Sequence, residues 1–264
     1  TRHSSSAASD VYKRQSQVRA GNGFSIVKYI GNAAVDSVGH GLTTPPQFII
    51  TKRLDGNTDN WFCYHQFIDA TNPADYDIAL NTSNARRSSQ PSWANTEPNS
   101  TVFNIGNIGA TNQSGITYIA YCFAETPGVS SFGSYTGNGG ANPIDCGFEP
   151  AFVMIKCSSN SADWIIYDSA RDSGVLKTYL EPNTSDAESN VGSDGVSDGV
   201  ALTSSGFQPF GDFAPINNSG YTYIYMAFAG GEPPVTVEGI SSTAAAMTVS
   251  GGDWENGQTV KNTV

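Results

Sequence analysis

Charge is what this sequence has least of. Only 14% of its 264 residues are Asp, Glu, Lys or Arg, against about 25% in an average soluble protein, so surface polarity must come mainly from neutral groups. Basic residues are the scarcer sign, 13 against 24 acidic, for a net charge of -11. That balance repels phosphate backbones and anionic lipid, which excludes nucleic acid as a partner. No window approaches 18 consecutive apolar residues, and the first 30 residues hold no apolar signal core. Membrane insertion and self-directed secretion are therefore not expected. Cysteine is limited to Cys63, Cys122, Cys146 and Cys157, with neither a CxxC pair nor zinc-ligand spacing. Buried free thiols made in a reducing cytosol fit this pattern, with one disulfide as the alternative. No window of a dozen residues repeats apolar side chains at the 3.6-residue helical period, so helices are not expected.

Turn residues are plentiful, with 28 Gly and 13 Pro, and the apolar runs between them are short and rich in Ile, Val, Thr, Tyr and Phe. The second half restates the first at an offset of about 105 residues. KYIGN (28–32) returns as SYTGN (134–138), and PQFIITK (46–52) as PAFVMIK (150–156). WFCYH (61–65) returns as WIIYD (164–168), NTSNA (81–85) as NTSDA (183–187), and NQSGITYIAYCFA (112–124) as NNSGYTYIYMAFA (217–229). Five blocks in one order predict a duplication, with repeats over about 23–125 and 130–231. In ITYIAYCFA both alternating faces are apolar, which predicts a central strand covered on both sides, and Asp55-Gly56 marks a hairpin. The expected fold class is all-β: two tandem homologous antiparallel β-sandwich units of jelly-roll or lectin-like type. The expected organisation is a non-native or disordered leader over 1–15, which resembles translated adapter sequence, then sandwich repeats over 16–125 and 126–231. Residues 232–264, opened by Glu232-Pro233-Pro234, are expected to be a linker and the truncated start of a third β module.

The combined pattern Y-x-G-N, P-x-F-x-I/M-x-K, W-x-x-Y, N-T-S-x-A and S-G-x-T-Y-I-x-x-x-F-A resembles a repeat module of unknown function in marine tailed bacteriophages. GFEPAFVMIK (147–156) and SGYTYIYMAFA (219–229) are its closest stretches, and GLTTPPQFIITK marks the first copy as the more divergent. The resemblance implies tail-fibre or other virion structural proteins, a virion location after assembly in the host cytoplasm, other virion tail proteins as partners, and homo-oligomers. It brings no catalytic or ligand residues.

The residues suited to carry chemistry have plainer readings. GVSDG (195–199) matches the nucleophile-elbow spacing, but lacks the strand before it and the helix after it. Asp186, Glu188, Asp194 and Asp198 in the 185–199 loop offer hard oxygens for calcium, yet a solvated acidic loop is the better reading, so no metal is assigned. His40 aligns with Cys146 and His65 with Asp168, which argues for hydrogen-bonded histidines over a shared catalytic base. Asp168, Arg171 and Asp172 read as a local ion pair. Trp61 and Trp164 read as core, whereas Tyr76 and Trp93 sit in polar, Pro-containing segments where an exposed ring could stack on a glycan. The Asn-x-Ser/Thr triplets at Asn81, Asn99, Asn112, Asn183 and Asn217 read as turn chemistry. No cofactor motif is present. The leading expectation is a non-enzymatic phage structural protein that serves as a spacer or host-attachment module. The alternatives are a lectin-like module binding a host surface glycan and a polysaccharide depolymerase.

Overall fold

The computed structural model describes residues 17–230 except 22, 57–58, 89–90, 173 and 192–197. The leader over 1–15 and the segment 232–264 lie outside the described residues. The described residues all fall in one compact unit.

Strands account for nearly all regular structure. The first half holds β1 (Gln17–Gly21), β2 (Phe24–Ile30), β3 (Asp36–Gly39), β4 (Phe48–Arg53), β5 (Phe62–His65), β6 (Tyr76–Ala79), β7 (Arg87–Ser88), β8 (Val102–Ile105) and β9 (Thr117–Phe123). The second half holds β10 (Ser130–Thr136), β11 (Ile144–Asp145), β12 (Pro150–Cys157), β13 (Trp164–Asp168), β14 (Val175–Leu176), β15 (Thr178–Tyr179), β16 (Ser189–Asn190), β17 (Gly199–Thr203), β18 (Gly206–Phe210) and β19 (Thr222–Ala229). The described helix is limited to one α turn, Gly109–Asn112, and two 3-10 turns, Pro73–Asp75 and Pro91–Trp93.

All pairings are antiparallel, and β4 and β5 form the hairpin marked by Asp55-Gly56. The first half builds a seven-stranded sheet in the order β1-β2-β9-β4-β5-β6-β7, and the second a four-stranded sheet in the order β10-β19-β12-β13. In register, β2-β9-β4-β5 and β10-β19-β12-β13 correspond residue for residue: Tyr29 opposes Tyr118 as Tyr135 opposes Tyr223, and Phe48 opposes both Phe123 and His65 as Phe152 opposes both Phe228 and Asp168.

Strand alternation sends every second side chain to each face, which yields three cores. The inner face of the seven-stranded sheet buries Val27, Tyr29, Ile49, Tyr118 and Cys122 against Val38, Phe103 and Trp93. The inner face of the four-stranded sheet packs Val153, Ile155, Tyr167 and Tyr223 against a second sheet, β11-β18-β17-β14, through Val200 and Phe207, a sandwich-like layering. The outer faces of the two main sheets then close on each other in a third core, where Phe48, Cys63, Ile68 and Ile78 meet Phe132, Met154, Trp164, Ile224 and Met226.

β9 and β19 are both central, as their two apolar faces predict. Their coverage differs: β19 is buried on both sides over Tyr223–Ala227, whereas Ile119 and Tyr121 on the outer face of β9 are half-buried.

Candidate functional site

The recurring sequence blocks form the same latch in each half. Tyr29 stacks on Tyr118 at 5.3 Å and Tyr135 on Tyr223 at 5.1 Å. The Tyr29 hydroxyl donates to the Thr111 carbonyl (2.8 Å), and that of Tyr135 to the Ile216 carbonyl (2.6 Å). Tyr118 Oη donates to the Gly109 carbonyl and accepts the Gln113 N–H; Tyr223 Oη does the same with Ala214 and Asn218. Burial raises the Tyr29 and Tyr135 pKa values well above the ordinary phenol range, so both hydroxyls stay donors. Gly31 and Gly137 are required because a Cβ there would lie 2.2 Å from the carbonyl oxygen of Gln113 or Asn218. The fully buried Asn112 and Asn217 complete the latch. The Asn112 amide donates to the carbonyls of Ala34 and Gly106, the Asn217 amide to those of Gly140 and Gly211.

The other Asn-x-Ser/Thr triplets are turn clamps too. Asn81 and Asn183 accept the backbone N–H of Trp61 and Trp164, each at 2.8 Å, and Asn99 accepts from Thr101 and Val102.

Both histidines act as neutral clamps. His65 Nδ1 accepts the Phe67 N–H and Nε2 donates to the Tyr225 carbonyl across the third core. Burial lowers its pKa to about 4, which only the neutral ring allows. His40 Nδ1 accepts from Leu42 and Nε2 donates to the Asn99 carbonyl. The other buried charges are similarly occupied. Asp77 is gripped by both Nε and Nη2 of Arg87, at 2.7 and 2.8 Å, and by Ser92 Oγ at 2.5 Å. Lys156 Nζ donates to the carbonyls of Ser83, Cys157 and Ala162, and burial lowers its pKa to about 8.

The aromatic expectations need correction. Trp93 is not presented to solvent: it sits in the first core, 1% exposed, edge-on to Tyr64. Pro91 starts a 3-10 turn that points the indole inward, so a polar segment hides a core residue. Tyr76 begins β6, half-buried beside the third core, and the Arg86 guanidinium covers its ring at 4.3 Å. The two rings share no cleft. Trp164 is buried and donates Nε1–H to the Ala79 carbonyl, but it serves the third core. Trp61 is half-buried under the Lys52 ammonium, outside all three cores.

Asp168 and Arg171 do form an ion pair, at 2.6 Å, which Glu188 extends. Asp172 instead caps backbone, accepting the N–H groups of Lys177 and Thr178. In the acidic loop, Asp198 accepts from the Phe213 N–H. Asp194, and the Gly195, Val196 and Ser197 of GVSDG, lie outside the described residues. Among the described residues no three His, Cys, Asp or Glu side chains gather as a metal site, and all four cysteines are free thiols. Burial raises the Cys146 thiol to about 11 and the Cys122 thiol to about 12, which keeps both protonated and unreactive. A surface groove of about 450 Å³ runs beside the β1–β2 turn, lined by Gly21, Gly23, Leu42, Thr43, Thr44, Glu125 and Thr126 among others. Its polar groups are hydroxyls, backbone and one carboxylate.

Sequence reasoning missed the third core, where equivalent positions of the two halves are buried unequally. Phe48, Cys63 and Ile78 are 1%, 0% and 0% exposed, yet their counterparts Phe152 and Ile166 are half-buried and Leu180 is 38% exposed. Phe132, Ile224 and Met226 are 3%, 1% and 7% exposed, yet their counterparts Ile26, Ile119 and Tyr121 are half-buried. The halves therefore meet through different parts of equivalent surfaces. The alignment of His65 with Asp168 was the available signal: the imidazole bonds across to the other half, whereas the carboxylate pairs locally with Arg171.

A family model described as a domain of unknown function, DUF7483, matches residues 3–234. The chain belongs to this family. The DUF7483 match spans both halves, in keeping with the one compact unit that the described residues form. No curated protein matches the chain. Among solved structures, the major capsid protein P2 from bacteriophage PM2 shows a likeness at 8% identity and a TM-score of 0.21, covering 78% of this chain and 98% of that one. A score that low defines neither fold nor role.

Proposed function

We propose that this DUF7483 chain is a non-enzymatic structural component of a phage virion, a segment of a tail fibre or related appendage that holds other parts in place. Its partners on this reading are other virion tail proteins. The observation that carries the reading is where the side-chain chemistry is used. His40, His65, Asp77, Lys156, Asn112 and Asn217 are all buried, and each ties loops, strands or halves together. Such side chains fix a rigid scaffold, and none of them projects into the one groove described above. The resemblance of the repeated blocks to phage tail modules supplies the context. Peptide mass spectrometry and immunogold electron microscopy on purified particles of a phage encoding this chain test it. Label on a tail appendage supports the proposal; particles free of the protein, with all of it left in the host lysate, overturn it.

A further inference from the structure

Among the described residues, each half leaves partly exposed the positions whose counterparts are buried in the other half. On the first half this surface comprises Ile26, Ile119 and Tyr121, bordered by Ile30 and Leu54, which are 50% and 52% exposed. On the second half it comprises Leu180, 38% exposed, with the half-buried Phe152 and Ile166, whose other sides pack at the margin of the third core. Inside the chain, Phe48, Cys63 and Ile78 of β4–β6 meet Phe132, Ile224 and Met226 of β10 and β19, with Met154 of β12 and Trp164 of β13 in the same core. Such a contact joins unlike patches, so it is head-to-tail, and a head-to-tail contact leaves one donor and one acceptor surface free.

We infer that these two free surfaces bind each other between copies of this chain, with Phe152, Ile166 and Leu180 of one copy seated on Ile26, Ile119 and Tyr121 of the next. The contact repeats the one that already joins the halves, so an established interface continues from copy to copy.

Two further observations favour a second copy as the occupant. The seven-stranded sheet is about 30 Å wide at roughly 4.8 Å per strand. The second half covers β4–β6 and the Phe123 end of β9, which leaves Ile26, Ile119 and Tyr121 for another module. Charge also matches. In register, Ile119 lies between Lys28 and Lys52, whereas Leu180 is followed by Glu181, whose pKa burial raises and the nearby Asp163 and Asp186 raise further. Lys28 and Lys52 would thus face Glu181, while Arg171 beside Ile166 is already paired with Asp168 and Glu188. The inference does not rest on the virion assignment, and either can fail alone.

Sedimentation velocity of the full chain, from about 1 to about 200 µM, reads the self-association. Tyr121→Asp disables one surface and Leu180→Lys the other. Ile30→Asp with Leu54→Asp replaces the first variant if its melting temperature shows a folding defect. The expected result is concentration-dependent growth of the unaltered chain beyond a dimer, and at least about tenfold weaker association in each variant alone. An equimolar mixture of the two variants should form dimers and nothing larger, since each retains one intact surface. A monomeric unaltered chain at all concentrations, variants that associate undiminished, or a mixture that stays monomeric would overturn the inference. So would association that appears only after removal of residues 231–264, which would assign the surface to the chain's own C-terminal segment.

Discussion

His65 sits in the third core with its ring neutral, donating to Tyr225 and accepting from Phe67. Its folded-state pKa of about 4 lies below the ordinary 6.5, so the unfolded chain takes up the proton first. The stability this residue contributes is therefore present above about pH 6.5 and is lost as pH falls toward 4, about 3 kcal/mol in all. Asp69, Asp168 and Asp172 have pKa values below the ordinary 3.8, so their contribution disappears only at lower pH, apart from the histidine window. Urea unfolding between pH 7 and pH 4 should show this slope, and His65→Gln should flatten it; an unchanged slope in the variant would place the titration elsewhere. Trp93 carries a second residue-scale expectation. As a 1% exposed core ring it should cost about 3–5 kcal/mol when truncated to alanine. Phe123 and Phe228 are half-buried and meet each other at 6.2 Å in the third core, so Phe228→Ala should cost less. Thermal unfolding of the two variants side by side checks the order. The sequence concealed this because Trp93 lies among Ser, Pro and Asn, and only the turn at Pro91 shows which way the indole points.

The paired strands carry a compensated exchange. Val27 opposes Ala120 in the first half, whereas Gly133 opposes Tyr225 in the second. A Cβ on Gly133 would lie 2.6 Å from the Tyr225 ring, so the glycine is there because the tyrosine fills its place. Gly133→Val alone should cost about 1–3 kcal/mol through overpacking, and Tyr225→Ala about 3–5 kcal/mol through a cavity. The double variant rebuilds the small-large arrangement of the first half, so its cost should fall below the sum by at least about 1 kcal/mol. Strictly additive chemical-denaturation energies would contradict this account of the pair. At this scale the sequence was legible: β9, β19 and the β4–β5 hairpin follow from alternation and Asp-Gly, and Tyr29, Gly31 and Asn112 recur because the latch requires them. What the alternation could not supply was the partner of each outer face. Ile119 and Ile224 are identical residues at equivalent positions, yet Ile224 joins the third core and Ile119 is half-buried outside it.

In the whole molecule the two outer faces form a core that neither half completes alone. Phe132, Trp164, Ile224 and Met226 would be open to water without Phe48, Cys63 and Ile78, and bonds such as His65 to Tyr225, Lys156 to Ser83 and Trp164 to Ala79 cross the same boundary. Burial of this much apolar surface between the halves should couple their unfolding, since local opening of either exposes both. Differential scanning calorimetry of the full chain, with near-UV circular dichroism following the tryptophans, measures that coupling. The account predicts a single transition for the described body, with calorimetric and van't Hoff enthalpies in agreement and the whole transition shifted down in Met226→Ala. Two separated transitions, with Met226→Ala moving only one of them, would contradict the shared core.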